Sequence, residues 1–120
     1  MADHVLFVGW SNPVRGCEER ALEVFNETLG LYGRMQQDGR LESFDVMLFE
    51  PNREMNGCIH VHGSAAQIAA LRENEEFQRS TVAAALIVDD LRLIEGYANE
   101  GVARQMTLYQ EAVSNVPQRA

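Results

Sequence analysis

The stretch CIHVHGS, residues 58–64, carries three side chains that can bind metals or accept protons. In an extended strand alternate side chains share a face, so Cys58, His60 and His62 would point to the same side. A thiol and two imidazoles can hold a metal ion. An imidazole beside a carboxylate can act as a general base. The residue types therefore allow a metal site or a proton-transfer site.

A metal site at this strand would need one or two more converging ligands. Asp45 or Glu95 would have to supply them, because the remaining histidine, His4, begins the first predicted strand. The alternative is that both imidazoles line a cleft and hydrogen-bond to Asp45 and to backbone, since buried polar groups need partners. We favour this alternative and predict no metal ligands and no cofactor.

The elements that position these residues follow from the hydrophobic pattern. Alternating or β-branched apolar runs predict four strands, and apolar residues at steps of three and four predict helices. A capping box at Ser64 begins the second helical region, which Asn74 would interrupt. The predicted strands are 4–10, 41–50, 58–62 and 91–97, and the predicted helices are 18–37, 65 to about 88 in two pieces, and about 101–115.

The second and third strands form a predicted hairpin whose strongest turn signal is Asn56-Gly57. Matching the apolar faces places Val46 opposite Val61 and Leu48 opposite Ile59. That register puts two pairs of side chains near each other on the other face, Asp45 near His62 and Met47 near His60. His62 or His60 would then be a candidate catalytic base, with Asp45 as the acid that orients it.

The order β-α-β-β-α-β is that of a ferredoxin-like α+β unit. We predict one domain over residues 1–120, with its core in 4–100 and an added C-terminal helix. The sheet would be antiparallel with four strands and with its helices on one face. Its other face would be mixed in character, and a second copy related by a two-fold axis would cover it. The residues expected there are Trp10, Asp45, Met47, Phe49, His60 and His62.

The last predicted helix carries an apolar stripe at steps of four, three and four. The stripe consists of Val102, Met106, Tyr109 and Val113. We expect it to close one end of the assembly or to reach the partner subunit.

Composition excludes several classes of function. The formal net charge of -8 argues against nucleic acid and anionic membranes as partners. All ten basic residues are arginine, so lysine Schiff-base chemistry is excluded. No apolar run is long enough for a membrane span. Two cysteines without a secretory leader indicate free thiols and a bacterial cytoplasmic location.

The element order, the size and the stretch SNPVRGCEE before the first helix resemble the dimeric α/β-barrel superfamily. The resemblance covers roughly residues 4 to 100, and DGRLESFDVMLFEPN to EEFQRS is most similar to uncharacterised bacterial members. The superfamily includes cofactor-free monooxygenases, heme-degrading enzymes and lactone isomerases. The resemblance implies a homodimer of two paired sheets. Several catalytic branches place a histidine in the first helix, and this chain has none there, which disfavours an enzyme.

Three functions remain open from the sequence. The first is binding of a small organic molecule in a cleft between the sheet and its partner. The second is a cofactor-free oxygenase or isomerase with a histidine base. The third is a structural or interaction protein without a ligand. The cleft would be lined by Trp10, Asp45, Met47, His60, His62 and Tyr97.

Overall fold

The computed structural model describes residues 2–117 and contains one antiparallel sheet in the order β2-β3-β1-β4. The strands are β1 (His4–Trp10), β2 (Ser43–Leu48), β3 (Gly57–Gly63) and β4 (Arg92–Tyr97). The helices are α1 (Glu18–Gln37), α2 (Ala65–Glu73), α3 (Glu75–Ala85) and α4 (Glu100–Ser114). The predicted ferredoxin-like α+β order with an added C-terminal helix is confirmed. No helix within these residues is long and apolar enough to cross a membrane.

Side-chain caps fix the start of α2 and the break before α3. The Ser64 hydroxyl accepts a hydrogen bond from the Gln67 N–H at 3.1 Å, and the Gln67 side chain accepts one from the Ser64 N–H at 2.8 Å. The predicted capping box is therefore confirmed. The Asn74 side chain accepts from the Phe77 N–H at 2.9 Å, so this residue ends α2 and begins α3.

The core lies between one face of the sheet and helices α1, α2 and α3. The two central strands send alternate apolar side chains toward the helices, as the period of a strand requires. Burial of these side chains holds the helices on the sheet. The buried cluster comprises Leu6, Val8, Leu31, Tyr32, Met35, Leu41, Ile59, Val61, Ile68, Leu71 and Phe77.

The connection between β2 and β3 differs from the prediction. The side chain of Asn52 accepts hydrogen bonds from the N–H groups of Glu54 and Met55, at 2.8 and 2.9 Å, and so shapes the loop. Gly57 is already part of β3. A Cβ at Gly57 would lie 2.7 Å from the Trp10 ring and 2.9 Å from the Met47 carbonyl oxygen. The predicted Asn-Gly turn is wrong, because this glycine serves close packing.

The predicted hairpin register is also wrong, by two residues. Phe44 pairs with Val61 and Val46 pairs with Ile59, so Asp45 lies directly opposite His60. A shift of two residues leaves every side chain on its predicted face, since the side-chain period of a strand is two. The faces of β2 and β3 are therefore as expected, although the partners are not.

Helix α4 is anchored at its first turn by the N-terminal residues. The Ala98 N–H donates to the Asp3 carbonyl at 3.1 Å, and the Asn99 amide donates to the Ala2 carbonyl. Arg104 pairs with the Asp3 carboxylate at 3.0 Å. Gly101 is buried, and a Cβ there would lie 2.2 Å from the Asp3 carbonyl oxygen. The close approach of the two segments requires glycine.

Gly101→Ala should therefore lower the free energy of unfolding by about 1–3 kcal/mol, because the added methyl group displaces Asp3. Gly33→Ala is the matched control, since Gly33 lies within α1 and, apart from its chain neighbours and the backbone of its own helix, nothing lies within 4 Å of the position of its Cβ. This control should stabilise the chain by about 1 kcal/mol. Urea unfolding measures both changes, and equal effects of the two substitutions would contradict the close contact.

Candidate functional site

The sheet face turned away from α1, α2 and α3 is called the open face. Three rows of paired residues cross it, Ser43–His62–Val5–Gly96, Asp45–His60–Phe7–Ile94 and Met47–Cys58–Gly9–Arg92. The face is half apolar, and Met47 and Ile94 are 39% and 55% exposed. It carries the two histidines and the carboxylate that the sequence identified as candidates.

The Asp45–His62 pair forms as expected, although the register differs. The Nε2 atom of His62 lies 3.0 Å from Oδ2 of Asp45, diagonally across the hairpin. The His62 side chain is 24% exposed and that of Asp45 is 69% exposed. A carboxylate that holds an imidazole in this way fixes its orientation, and such a pair can accept a proton.

His60 has different neighbours from His62. Its Nε2 atom lies 3.7 Å from Sγ of Cys58, and its ring packs at 5.6 Å against the ring of Phe7. The rings of His60 and His62 are 6.3 Å apart and nearly perpendicular. His60 thus lies among apolar and weakly polar groups, while His62 has the contact with the carboxylate.

These contacts do not assemble a metal site. The Nε2 atoms of the two histidines contact different partners, Cys58 and Asp45. Glu95, the other ligand considered, points toward the helices and pairs with Arg72 at 3.1 Å. Across residues 2–117, no group of three or more histidine, cysteine, aspartate or glutamate side chains is placed to hold a metal ion.

The two thiols should differ in reactivity. Cys58 is 1% exposed and burial raises the pKa of its thiol, whereas Cys17 is half-buried at the start of α1. The thiolate is the reactive species, so Cys58 should react far more slowly with an aromatic disulfide reagent. Cys17→Ser should remove the rapid phase in the folded chain and leave only the slow one. A rapid phase that survives in this variant would contradict the burial of Cys58.

Two of the six residues predicted to line the ligand cleft lie on the helix side of the sheet. Trp10 packs against Phe25 of α1, with ring centroids 5.8 Å apart. Tyr97 shares its side of β4 with Glu95, which pairs with Arg72 of α2. The structure therefore separates these two aromatic residues from the other four, Asp45, Met47, His60 and His62, which lie together on the open face.

A largely apolar cavity of about 350 Å³ lies on the helix side, between α1, the sheet and the segment that follows α3. Trp10 and Phe25 form an aromatic corner of its wall. Leu22 and Leu48, at 62% and 69% exposure, belong to its lining. Further lining residues are Val8, Ala21, Ile59, Ile87 and Leu91.

Two polar side chains of the cavity wall, those of Thr28 and Glu18, have partners within the protein. The Thr28 hydroxyl hydrogen-bonds with that of Ser80 at 2.8 Å. The Glu18 carboxylate accepts the Gly16 N–H at 2.7 Å. A molecule in the cavity would therefore be selected chiefly by shape and apolar contact. None of the four candidates on the open face lines it.

The sequence matches no protein-family model and no curated protein. Among solved structures, a dimeric protein of unknown function and ferredoxin-like fold from Bacteroides fragilis has a TM-score of 0.59 and 11% identity, covering 79% of this chain and 96% of that one. A variant of SnoaB, a cofactor-independent oxygenase from Streptomyces nogalater, has a TM-score of 0.58 and 15% identity, covering 82% and 93%.

The fold is ferredoxin-like. Identities this low show the fold alone, since one fold hosts many functions. The ferredoxin-like fold that the resemblance implied is confirmed.

Proposed function

We propose that this protein binds a small, neutral, apolar organic molecule in the cavity between α1 and the sheet. The observation that carries the proposal is the cavity itself, about 350 Å³ in volume, with apolar walls and the aromatic corner of Trp10 and Phe25. Pockets for small molecules have volumes of about 300–1,000 Å³ and mostly apolar walls. The predominance of apolar side chains in the wall favours a neutral, apolar ligand.

This location differs from the cleft expected from the sequence. Of the six predicted lining residues, Trp10 alone borders the cavity. Tyr97 is on the helix side but does not line the cavity, and the four predicted residues on the open face, including the Asp45–His62 pair, are separated from it by the sheet. A role for them in ligand binding requires a second copy that closes a cleft over the open face.

The cavity hypothesis has a direct probe, because Trp10 is the single tryptophan of the chain. Protein labelled with 5-fluorotryptophan gives one fluorine resonance, which reports on the cavity wall. Titration with naphthalene, a neutral apolar bicyclic molecule, should shift this resonance to saturation. A resonance that does not move up to the solubility limit of naphthalene would contradict the proposal.

We also propose a homodimer in which the open faces of two copies meet about a two-fold axis. The exposed Met47 and Ile94 side chains support it, and so does the dimeric protein with the same fold. Native mass spectrometry of protein purified without a tag or added metal should give the mass of two chains, and any co-purified organic molecule as an added mass. A single chain at micromolar concentration would contradict the dimer.

The Asp45–His62 contact at 3.0 Å favours a second candidate function, cofactor-free oxygenase or isomerase chemistry with His62 as base. Such a base would act on a substrate held between the open face and the second copy. If a co-purified molecule is consumed in air, His62→Gln should abolish turnover and leave binding intact. Unchanged turnover in this variant would contradict the role of His62 as the base. A chain that takes up no organic molecule would favour the third function, a structural or interaction protein.

A further inference from the structure

Helix α4 is held to its own protomer at its first turn and by Arg104. Gly101 packs on the Asp3 backbone, and Arg104 pairs with the Asp3 carboxylate. At about 100° per residue, Arg104 lies roughly 160° around the helix from Val102. Gly101 lies about 100° from Val102, so the side that carries Val102 is turned away from the Arg104 ion pair and flanks the contact with Asp3.

This side is apolar and is called the α4 stripe, defined as Val102, Met106 and Tyr109. These side chains are 47%, 49% and 64% exposed. The anchor at the first turn fixes the direction of the helix, so the stripe is displayed in a set orientation. Isolated helices of about this length are marginal in water, and an amphipathic helix is normally stabilised by packing of its apolar side.

The protomer is extended rather than compact. The radius of gyration is 17.1 Å, whereas a compact chain of this length has about 14 Å. The longest dimension is 55 Å, against 37 and 23 Å for the others. We call α4 an arm, because all of its residues from 102 to 114 except Gln105 and Val113 are exposed.

The proposed dimer needs more contact area than the sheets provide. Four strands of about six residues cover roughly 20 by 19 Å, which is about 400 Å² in projection. A stable interface buries about 800 Å² on each partner. Each α4, about 22 Å long and about 10 Å wide, adds roughly 220 Å². A two-fold axis makes the contact reciprocal, so each partner buries its own arm and also the surface that receives the other arm. The area buried on each partner then comes close to the required size.

We propose that α4 is a reciprocal arm, whose stripe of Val102, Met106 and Tyr109 packs against a second copy of this chain in the dimer formed by the open faces. The inference rests on the proposed dimer and adds the element that completes it. A glutamate in the stripe would bury an unpaired charge at the contact, which costs far more than its loss of apolar area.

The test compares Met106→Glu with Leu108→Glu. Met106 and Leu108 are 49% and 52% exposed on the same helix, and Leu108 lies outside the stripe. Analytical ultracentrifugation over a dilution series should give Met106→Glu a dimer dissociation constant at least about 100-fold above that of the native chain. Leu108→Glu should change it less than about threefold. Circular dichroism confirms that each chain is folded, and Tyr109→Glu replaces Met106→Glu if that variant does not fold.

The outcomes separate the arm from the dimer. A native dimer that Met106→Glu weakens selectively supports the arm. If the native chain is a dimer and neither variant changes its dissociation constant, the arm is overturned. The stripe then contacts another partner or its own protomer. Equal weakening by both variants also overturns it, since the effect is then not that of the stripe. A native chain that is monomeric contradicts both the proposed dimer and the proposed arm.

Discussion

Leu6→Ala should lower the free energy of unfolding by about 2–5 kcal/mol, the range for removing a fully buried leucine side chain. Leu6 is 0% exposed on central strand β1, and it lies opposite Val61 of β3 and Glu95 of β4. Truncation leaves a cavity in the layer where α1, α2 and α3 meet the sheet. Neighbours on two strands restrict the collapse that would fill it. Urea denaturation followed by circular dichroism measures the loss.

Val82→Ala is the control for this effect. Val82 is on α3 and is 63% exposed, so its truncation should change the free energy of unfolding by no more than about 0.5 kcal/mol. The two variants lose apolar side chains of similar chemistry and differ in burial. Similar losses in both would contradict a core between the sheet and the helices.

Ala21→Phe should weaken naphthalene binding at least about tenfold, because its ring occupies part of the cavity that the ligand needs. Ala21 lies on α1 and lines the cavity. The native contacts around Trp10 and Phe25 stay in place, so the variant should remain folded. The fluorine resonance of labelled Trp10 reports both the binding curve and the integrity of the wall.

The matched substitution is Ala69→Phe, at an exposed position on α2 that does not line the cavity. It adds the same ring to the chain, and naphthalene binding should match that of the native protein. Weakened binding in both variants would mean that naphthalene binds elsewhere, for instance on the open face. Unchanged binding in Ala21→Phe would exclude the cavity as its site.

The fold was accessible from the sequence because its signals are local. Local residues alone determine the apolar periodicity of α1, the capping box at Ser64 and the break at Asn74. Each strand also has an apolar pattern of its own. These features are enough to predict the order of the helices and strands, and that order is enough to predict the ferredoxin-like arrangement.

The hairpin register depends on contacts that the local pattern does not contain. Asn56-Gly57 has the composition of a tight turn, but Gly57 is required where β3 approaches Trp10 and the Met47 carbonyl. Asn52 supplies the turn hydrogen bonds instead. A glycine chosen for close approach and one chosen for a turn look the same in a sequence.

The site was harder to predict because β1 is apolar on both faces. In HVLFVGW the residues Leu6, Val8 and Trp10 face the helices, while Val5 and Phe7 face away, and alternation of polarity does not distinguish them. The sequence pattern therefore places Trp10 with the histidines, on the wrong face. The cavity is formed by α1, the sheet and the segment after α3, so its existence follows from tertiary packing.

The most direct test of the ligand cavity is the set of nuclear Overhauser effects between protein and bound naphthalene. The proposal predicts contacts from the naphthalene protons to the rings of Trp10 and Phe25, which form the aromatic corner of the wall. Contacts confined to Phe7, Met47 or Ile94 would place the molecule on the open face. That result, or no contact at saturating naphthalene, would contradict the proposed ligand site.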